Sequence, residues 1–230
     1  MKIDTTGLGT YPCFSREGLA ERAMLLHVTT VCNMRCRHCI REQGAAGWEK
    51  SEGIGTTVMS ADAAVQLVDR GLKGPEPPVV VEIGGPGEPL MNMATYAVLR
   101  RLRAAYPGLE LSVWTNGILL AERLEDLLRS GAKKITLSLN AATHDTAERI
   151  YDRIIFHGRN YGGAEAARLL LQQQWTGLEQ AVETGFGVSV CIALIPGVNE
   201  REVDRISSIA GKIGAERIIV APLEIKSWDL

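Results

Sequence analysis

Three cysteines within eight residues are the strongest chemical signal in this sequence. Cys32, Cys36 and Cys39 have the spacing C-x3-C-x2-C, in a chain with 230 residues and five cysteines. Thiolates are the usual ligands of iron–sulfur clusters, and most clusters take four of them. Three thiolates on one short loop would leave one iron without a protein ligand, and an open coordination site can bind a substrate or cofactor. The spacing therefore predicts a [4Fe–4S] cluster with one open iron.

A structural zinc site is the alternative that these residues leave open. Zinc would need a fourth Cys or His ligand. His38 is adjacent to Cys39 in the sequence and cannot easily complete the same tetrahedron, whereas His27 precedes the loop and is a candidate. Zinc sites of this kind usually combine two C-x2-C units, and the sequence has only one. The pattern therefore favours the cluster.

A glycine-rich turn follows the next predicted strand. It reads Gly84-Gly85-Pro86-Gly87-Glu88-Pro89. Glycines let the main chain approach a ligand closely, and the carboxylate of Glu88 would offset an ammonium charge. Such a run is by itself more often only a turn. Its place one strand–helix unit after the cysteine loop favours a role in binding.

Six apolar stretches alternate with amphipathic segments and predict an α/β fold, a partial (β/α)6 TIM-like barrel. The strands are predicted at 25–31, 78–83, 111–115, 134–139, 188–195 and 217–221. The alternation implies parallel pairing with right-handed crossovers. Six units are too few for a closed barrel of eight strands, and the chemistry of such barrels lies at the carboxyl ends of the strands. The cysteine loop and the glycine turn both fall there.

Several helix boundaries can also be predicted. One helix is expected to begin after Ser60, whose side chain suits an N-cap. Residues 143–156 and 163–184 are predicted as two helices separated by glycines. Asn199 and Glu202 have the spacing of a capping pair and predict the start of another helix.

Polar residues end two of the predicted strands. Asn116 follows the third strand, and Ser138 and Asn140 end the fourth, on the same face as Thr136. A polar row facing the barrel interior would suit contacts to a ribose.

The cysteine spacing and the glycine turn together resemble the radical SAM superfamily. The resemblance implies an enzyme with two cofactors, a [4Fe–4S] cluster and S-adenosylmethionine (SAM). In that family the open iron binds the amino and carboxylate groups of SAM, and an electron from the cluster cleaves the sulfonium to release a 5′-deoxyadenosyl radical. The resemblance assigns Cys32, Cys36 and Cys39 as the metal ligands. It also implies that reduced ferredoxin or flavodoxin is the electron donor.

The resemblance extends to the SAM contacts. The glycine turn with Glu88 looks like the family motif that holds the methionine amino group. His38, before the last cysteine, matches an aromatic position that lies against adenine, and Ile195 begins a stretch similar to an adenine-contacting turn. The expected cofactor-binding residues are His38, Gly84, Gly85, Gly87, Glu88, Asn116, Ser138, Asn140 and Ile195.

Residues 11 to 223 resemble one branch more closely, the NifB proteins of nitrogenase cofactor biosynthesis. The similar stretches include Pro12-Cys13-Phe14-Ser15, the region 150–178 and Leu194 to Asn199. The resemblance implies a lyase- or transferase-type enzyme that assembles a precursor of the iron–molybdenum cofactor, with iron–sulfur donor and acceptor proteins as partners. The segment Arg41 to Gly47 lacks the further cysteine usual in that branch.

Two hypotheses compete with this one. The chain would be a radical SAM enzyme of the same branch with another substrate, or an iron–sulfur carrier without SAM chemistry. Cys13 is the candidate ligand of an accessory cluster, with His27 and Cys191 as further candidates, although a lone cysteine is often only a buried small hydrophobe. We expect residues 1–23 to fold over the barrel mouth and residues 24–230 to form the core domain.

The net charge and the hydropathy of the sequence indicate which kinds of partner and which cellular location to expect. The formal net charge is −2, so no strong field points to nucleic acid or a membrane surface. No apolar run approaches the ~18–20 residues of a membrane span. Residues 1–11 lack the pattern of a signal peptide. We therefore expect a cytoplasmic protein that binds neither nucleic acid nor membrane.

Overall fold

The computed structural model describes residues 2–4, 23–39, 59–85 and 87–223. The strands are β1 (Lys2–Asp4), β2 (Ala23–His27), β3 (Met34–Cys36), β4 (Val80–Gly84), β5 (Glu110–Thr115), β6 (Lys134–Ser138), β7 (Tyr151–Phe156), β8 (Arg159–Gly162), β9 (Gly187–Leu194) and β10 (Arg217–Pro222). The α-helices are α1 (Ala61–Leu72), α2 (Met93–Ala105), α3 (Leu120–Ser130), α4 (His144–Ile150), α5 (Gly163–Glu183) and α6 (Val203–Ile213).

Seven parallel strands form the main sheet. Their order is β1-β10-β9-β6-β5-β4-β2, and each pair is parallel. Six strands of this sheet correspond to the six predicted strands, namely β2, β4, β5, β6, β9 and β10. Strand β1 is an additional edge strand that was not predicted. Because β1 and β2 are the two ends of the described sheet, the barrel is open. The predicted partial (β/α)6 architecture is confirmed.

The two faces of the sheet differ in chemistry. One face carries apolar side chains such as Val113, Leu137 and Val190, which pack with the helices in the main core. The opposite face, which lines the barrel interior, carries polar groups and a small apolar cluster of Trp114, Cys191 and Ile219. Cys191 therefore faces the barrel interior.

A second, three-stranded sheet corrects one helix prediction. Residues 143–156 were expected to form one helix, but α4 ends at Ile150 and β7 begins at Tyr151. Strand β7 pairs with β8 in an antiparallel hairpin, and with β3 on its other side. The hairpin turns at His157 and Gly158, both with positive φ, as a tight two-residue hairpin turn requires. Strand β3 therefore joins the cysteine loop to a segment distant in sequence.

The predicted helix starts have mixed outcomes. Ser60 is confirmed as the N-cap of α1, because its hydroxyl accepts a hydrogen bond from the Ala63 amide. The helix predicted after Asn199 is present, but the capping pair predicted at Asn199 and Glu202 is wrong. Neither side chain caps the helix that follows, because both contact other elements. The carboxylate of Glu202 accepts hydrogen bonds from Thr143 and from the Ala142 amide, and so holds the start of α4.

Little of the predicted N-terminal segment can be compared with the structure. Of residues 1–23, the structure describes Lys2–Asp4 as an edge strand on β10, and Ala23 as the start of β2. Residues 5–22 lie outside the described residues, so a fold over the barrel mouth stays a prediction. No helix in the described part of the chain is long and apolar enough to span a membrane.

Candidate active site

The cysteine loop leaves the carboxyl end of β2 and is fixed by main-chain hydrogen bonds. Cys36 ends strand β3, which pairs with β7. The Arg37 amide donates to the oxygen of Ile150, and the Cys39 amide donates to the oxygen of Cys36 at 3.0 Å. Cys32, Cys36 and Cys39 form no disulfide with one another, and all three have intermediate exposure. The loop thus holds three accessible thiols on a fixed main chain.

The chemistry of this loop fits an iron–sulfur cluster. Thiolates are the ligands such clusters take. Asn33, next to Cys32, is 2% exposed, and its Nδ2 has no acceptor among the described residues. A buried donor without an acceptor is costly, and an anionic group bound at the loop would supply one. Within the described residues, no three His, Cys, Asp or Glu side chains form a preassembled metal site.

The glycine turn after β4 packs directly on the cysteine loop. The Gly87 amide donates to the oxygen of Thr29, and the Glu88 amide donates to the oxygen of Val31 at 2.8 Å. A methyl group on Gly87 would stand 2.2 Å from the oxygen of Val31. Glycine is required here because the two main chains are too close to admit a side chain. The two predicted motifs are therefore neighbours. Pro86 lies outside the described residues.

Glu88 is buried under the turn and binds three protein donors. Its carboxylate accepts hydrogen bonds from the Leu90 amide, the Thr115 hydroxyl and the Asn116 amide, at 2.7 to 3.0 Å. Burial raises the pKa of Glu88 to about 7, although the three hydrogen bonds act in the opposite direction. These bonds tie the glycine turn to the end of β5. Contact between Glu88 and a methionine amino group stays a prediction.

Asn116 joins three parts of the site. Its main-chain amide donates a hydrogen bond to Glu88 Oε2. Its side-chain Nδ2 donates to Asn33 Oδ1 at 2.8 Å and to Cys32 Sγ at 3.8 Å, and its Oδ1 accepts from the Ile118 amide. The residue therefore connects the glycine turn to the cysteine loop through the end of β5.

Gln174 on α5 is a site-forming residue whose role the sequence did not reveal. It is fully buried, and its Nε2 donates to the main-chain oxygens of Asn116 and Ser138, both at 2.9 Å. It thus fixes the carboxyl ends of β5 and β6 relative to each other. The predicted site residue Ser138 also accepts a hydrogen bond from Trp114 Nε1 at 2.8 Å.

Asn140 and Ile195 lie beside each other at the next strand ends. Asn140 Oδ1 accepts from the Ala193 amide, and its main-chain oxygen accepts from Asn199 Nδ2. Asn199 Oδ1 in turn accepts from the Ile195 amide. The Ile195 side chain is fully buried, in a cluster that includes Ile118. Contacts of Asn140 and Ile195 with SAM stay predictions.

Both histidines near the loop are buried. His27 on β2 lies with Nδ1 3.2 Å from the oxygen of Gly85, within the glycine turn. His38 is 8% exposed, and burial lowers its pKa to about 4. Its imidazole is therefore neutral near neutral pH, which suits an aromatic surface rather than a charge. The stacking of His38 on adenine stays a prediction.

The barrel interior holds a carboxyl group that sequence reasoning missed. Glu82 on β4 is 3% exposed, and its Oε1 accepts from the hydroxyls of Ser112 and Thr136, each at 2.7 Å. Its Oε2 has no hydrogen-bond partner among the described residues. Burial raises the pKa of Glu82, and the two hydroxyl hydrogen bonds oppose that shift. The signal in the sequence is one acidic residue inside an apolar strand.

The two cysteines among the accessory candidates have different positions. Cys191 is 1% exposed between Trp114 and Ile219 in the barrel interior. This environment is that of a small buried hydrophobe. Cys13 lies outside the described residues, and its role as an accessory ligand stays a prediction.

Comparison with known proteins identifies the family to which the cysteine loop and the glycine turn point. The family model described as the radical SAM superfamily matches residues 26–208. The chain is 32% identical over 215 residues to the FeMo cofactor biosynthesis protein NifB of Klebsiella pneumoniae, covering 93% of this chain and 46% of that protein. It is 29% identical over 205 residues to NifB of Methanocaldococcus infernus, covering 88% of this chain and 67% of that protein.

Solved structures agree in fold. SuiB of Streptococcus suis has a TM-score of 0.62 at 14% identity, covering 90% of this chain and 41% of that chain. SuiB bound to S-adenosylmethionine has a TM-score of 0.60 at 14% identity, covering 90% of this chain and 42% of that chain. The chain spans about half the length of the first curated relatives it matches. The fold and the two adjacent motifs agree with the family match. This chain therefore belongs to the radical SAM superfamily, whose enzymes use a [4Fe–4S] cluster and SAM.

Proposed function

We propose that this enzyme reductively cleaves SAM at a [4Fe–4S] cluster held by Cys32, Cys36 and Cys39, during assembly of a nitrogenase-type iron–sulfur cofactor precursor. The observation that carries the proposal is the position of Asn116, which contacts Cys32 through its side chain and Glu88 through its main chain. A cluster on the three thiols and a ligand on the glycine turn would then be neighbours. When bound, the cluster supplies the electron that breaks the sulfonium bond.

The residues around the loop have separate roles in this proposal. The main-chain oxygens of Gly84 and Gly85 would accept hydrogen bonds from the methionine amino group, because the glycines leave the main chain open to a ligand. Glu88 holds the turn against β5 and adds negative charge beneath it. His38 offers a neutral aromatic surface to adenine. The polar groups of Ser138 and Asn140 face the ribose.

The assembly role rests on similarity to the NifB proteins. That similarity extends over 93% of this chain at 32% identity to the Klebsiella pneumoniae protein. It includes α4 to α5, where the hairpin β7–β8 supports the cysteine loop. The second candidate is a radical SAM enzyme of the same branch with another substrate. Iron content separates the two, because one cluster supplies ~4 irons and an assembly site with additional clusters binds more than ~8.

External partners are part of the proposal. The cluster must receive one electron per cleavage, and reduced ferredoxin or flavodoxin is the proposed donor. Iron–sulfur donor and acceptor proteins would deliver the substrate clusters and receive the product.

The ligand assignment can be tested with single Cys→Ala changes in anaerobically reconstituted protein. We expect Cys32→Ala, Cys36→Ala and Cys39→Ala each to abolish the cluster signal that responds to SAM in electron paramagnetic resonance (EPR). Cys191→Ala is the matched control, because Cys191 is buried between Trp114 and Ile219. It should keep the signal and reductive SAM cleavage. If any of the first three variants retains both, the assignment is wrong.

A further inference from the structure

Asn116 contacts the sulfur of a proposed cluster ligand. Its Nδ2 lies 3.8 Å from Cys32 Sγ and 2.8 Å from Asn33 Oδ1. A primary amide nitrogen carries two hydrogens, so one is directed to the sulfur and the other to the neighbouring residue of the loop. Both donors of this side chain are therefore used within the cysteine loop.

The orientation of this amide is fixed by its other hydrogen bonds. Asn116 Oδ1 accepts from the Ile118 amide at 3.0 Å, so an exchange of oxygen and nitrogen would place two donors against each other. The main chain is held from two sides. Its amide donates to Glu88 Oε2 at 2.7 Å, and its oxygen accepts from Gln174 Nε2 at 2.9 Å. Asn116 is 8% exposed, so little water competes for its donors.

We propose that Asn116 sets the reduction potential of the cluster through a hydrogen bond to Cys32, which makes it a positioning and tuning residue in addition to any contact with SAM. The inference rests on the proposed role of Cys32 as ligand. Reduction adds negative charge to the cluster and its thiolates. A fixed N–H dipole directed at one thiolate stabilises that added charge and raises the potential. It also makes the iron bound to Cys32 electronically distinct from its neighbours.

The test is a redox titration of the reconstituted cluster, followed by EPR, without SAM. Asn116→Leu removes the donor at similar size. Asn116→Asp keeps the oxygen that binds the Ile118 amide but removes the donor and adds negative charge. We expect a lower midpoint potential than wild type in both variants, and the lowest in Asn116→Asp. Iron analysis should give the same iron content per chain in each protein compared.

Asn92→Asp is the matched control. Asn92 Oδ1 also accepts from the amide two residues later, and its Nδ2 also donates to a main-chain oxygen, that of Val28. The same chemical change at this residue, which caps α2, should leave the midpoint potential at the wild-type value. If Asn92→Asp shifts the midpoint potential as much as Asn116→Asp does, the effect comes from added charge and not from the lost hydrogen bond to Cys32. That result would overturn the proposal.

The remaining outcomes are also decisive. A midpoint equal to or above wild type in Asn116→Leu, with the cluster present, overturns the inference. If Asn116→Leu does not fold, judged by circular dichroism, Asn116→Asp decides, because it retains the turn at Ile118. Cys32→Ala separates the two proposals. A wild-type cluster signal in Cys32→Ala refutes the ligand assignment, whereas its loss together with unchanged Asn116 potentials refutes only the tuning role.

Discussion

The side-chain amide of Gln174 donates a hydrogen bond to the main-chain oxygen of Asn116 at 2.9 Å. The same nitrogen binds the oxygen of Ser138, so one helical residue satisfies two buried strand ends. We expect Gln174→Met to lower the free energy of unfolding by about 1–3 kcal/mol, because two main-chain oxygens lose their donor in a buried site. Urea unfolding measures this. The exposed Gln172→Met is the control and should stay within about 0.5 kcal/mol of wild type.

Replacing Glu88 by glutamine, which has the same shape, should destabilise the protein. Glu88→Gln replaces one carboxylate oxygen by a donor, so either the Asn116 amide or the Leu90 amide would then face another N–H group. We expect the free energy of unfolding to fall by about 1–3 kcal/mol, and SAM binding to weaken as the glycine turn loosens. Urea unfolding and anaerobic calorimetry measure the two effects. The exposed Glu183→Gln should change neither. Wild-type stability in Glu88→Gln would contradict the geometry of this carboxylate.

Glu82 should make stability depend on pH. Burial raises its folded-state pKa, so the folded protein binds the proton more tightly than the unfolded chain does. Its contribution to stability is therefore full below the unfolded pKa and is lost as pH rises through the folded pKa. Glu82→Gln stays neutral and avoids this loss. We expect the free energy of unfolding of the variant, relative to wild type, to increase as the pH rises above the unfolded pKa of a glutamate. A pH-independent difference in urea unfolding would rule this out.

Gly87 should tolerate no side chain. A methyl group there would stand 2.2 Å from the oxygen of Val31, and main-chain atoms cannot move aside cheaply. We expect Gly87→Ala to push the glycine turn away from the cysteine loop and to weaken SAM binding in anaerobic calorimetry by at least tenfold, about 1.4 kcal/mol. Gly108→Ala is the control, because nothing lies within 4 Å of the added methyl. Equal SAM affinity in Gly87→Ala and wild type would show that the close approach is not needed.

Cys13 tests how far the likeness to the NifB proteins extends. If this thiol holds an accessory cluster, Cys13→Ala should lower the iron content of reconstituted protein while reductive SAM cleavage at the primary site continues. Unchanged iron in fully reconstituted protein would instead favour the second candidate function, an enzyme of the same branch with another substrate.

The main sheet was predictable because its strands are buried on both faces over much of their length. Runs such as Ile218 to Ala221 have too few polar positions to be surface segments. The hairpin β7–β8 was missed because its alternation is short. Ile154 is buried while Arg153 and Ile155 are exposed, which is a strand pattern, but the helical residues before it dominate a longer window.

The contacts within the site were harder to predict than its residue types. The cysteine spacing and glycine turn identify two motifs, but nothing local indicates that Gln174 binds the end of β5. Asn199 and Glu202 show the same limit. Their spacing satisfies the local capping rule, yet their side chains bind Asn140 and Thr143, some sixty residues earlier. Hydrogen bonds between distant segments override a local pattern of this kind.

The pairing of β3 with β7 determines when the proposed cluster site can form during synthesis on the ribosome. Arg35 pairs with Arg153, so the strand that contains Cys36 has no partner until about 120 further residues have been translated. The cysteines leave the ribosome early, but their main-chain frame is completed late. Iron delivered to the nascent chain before this point would reach a cysteine loop whose main chain is not yet fixed by β7. Insertion of a cluster is therefore expected only after the hairpin β7–β8 has left the ribosome.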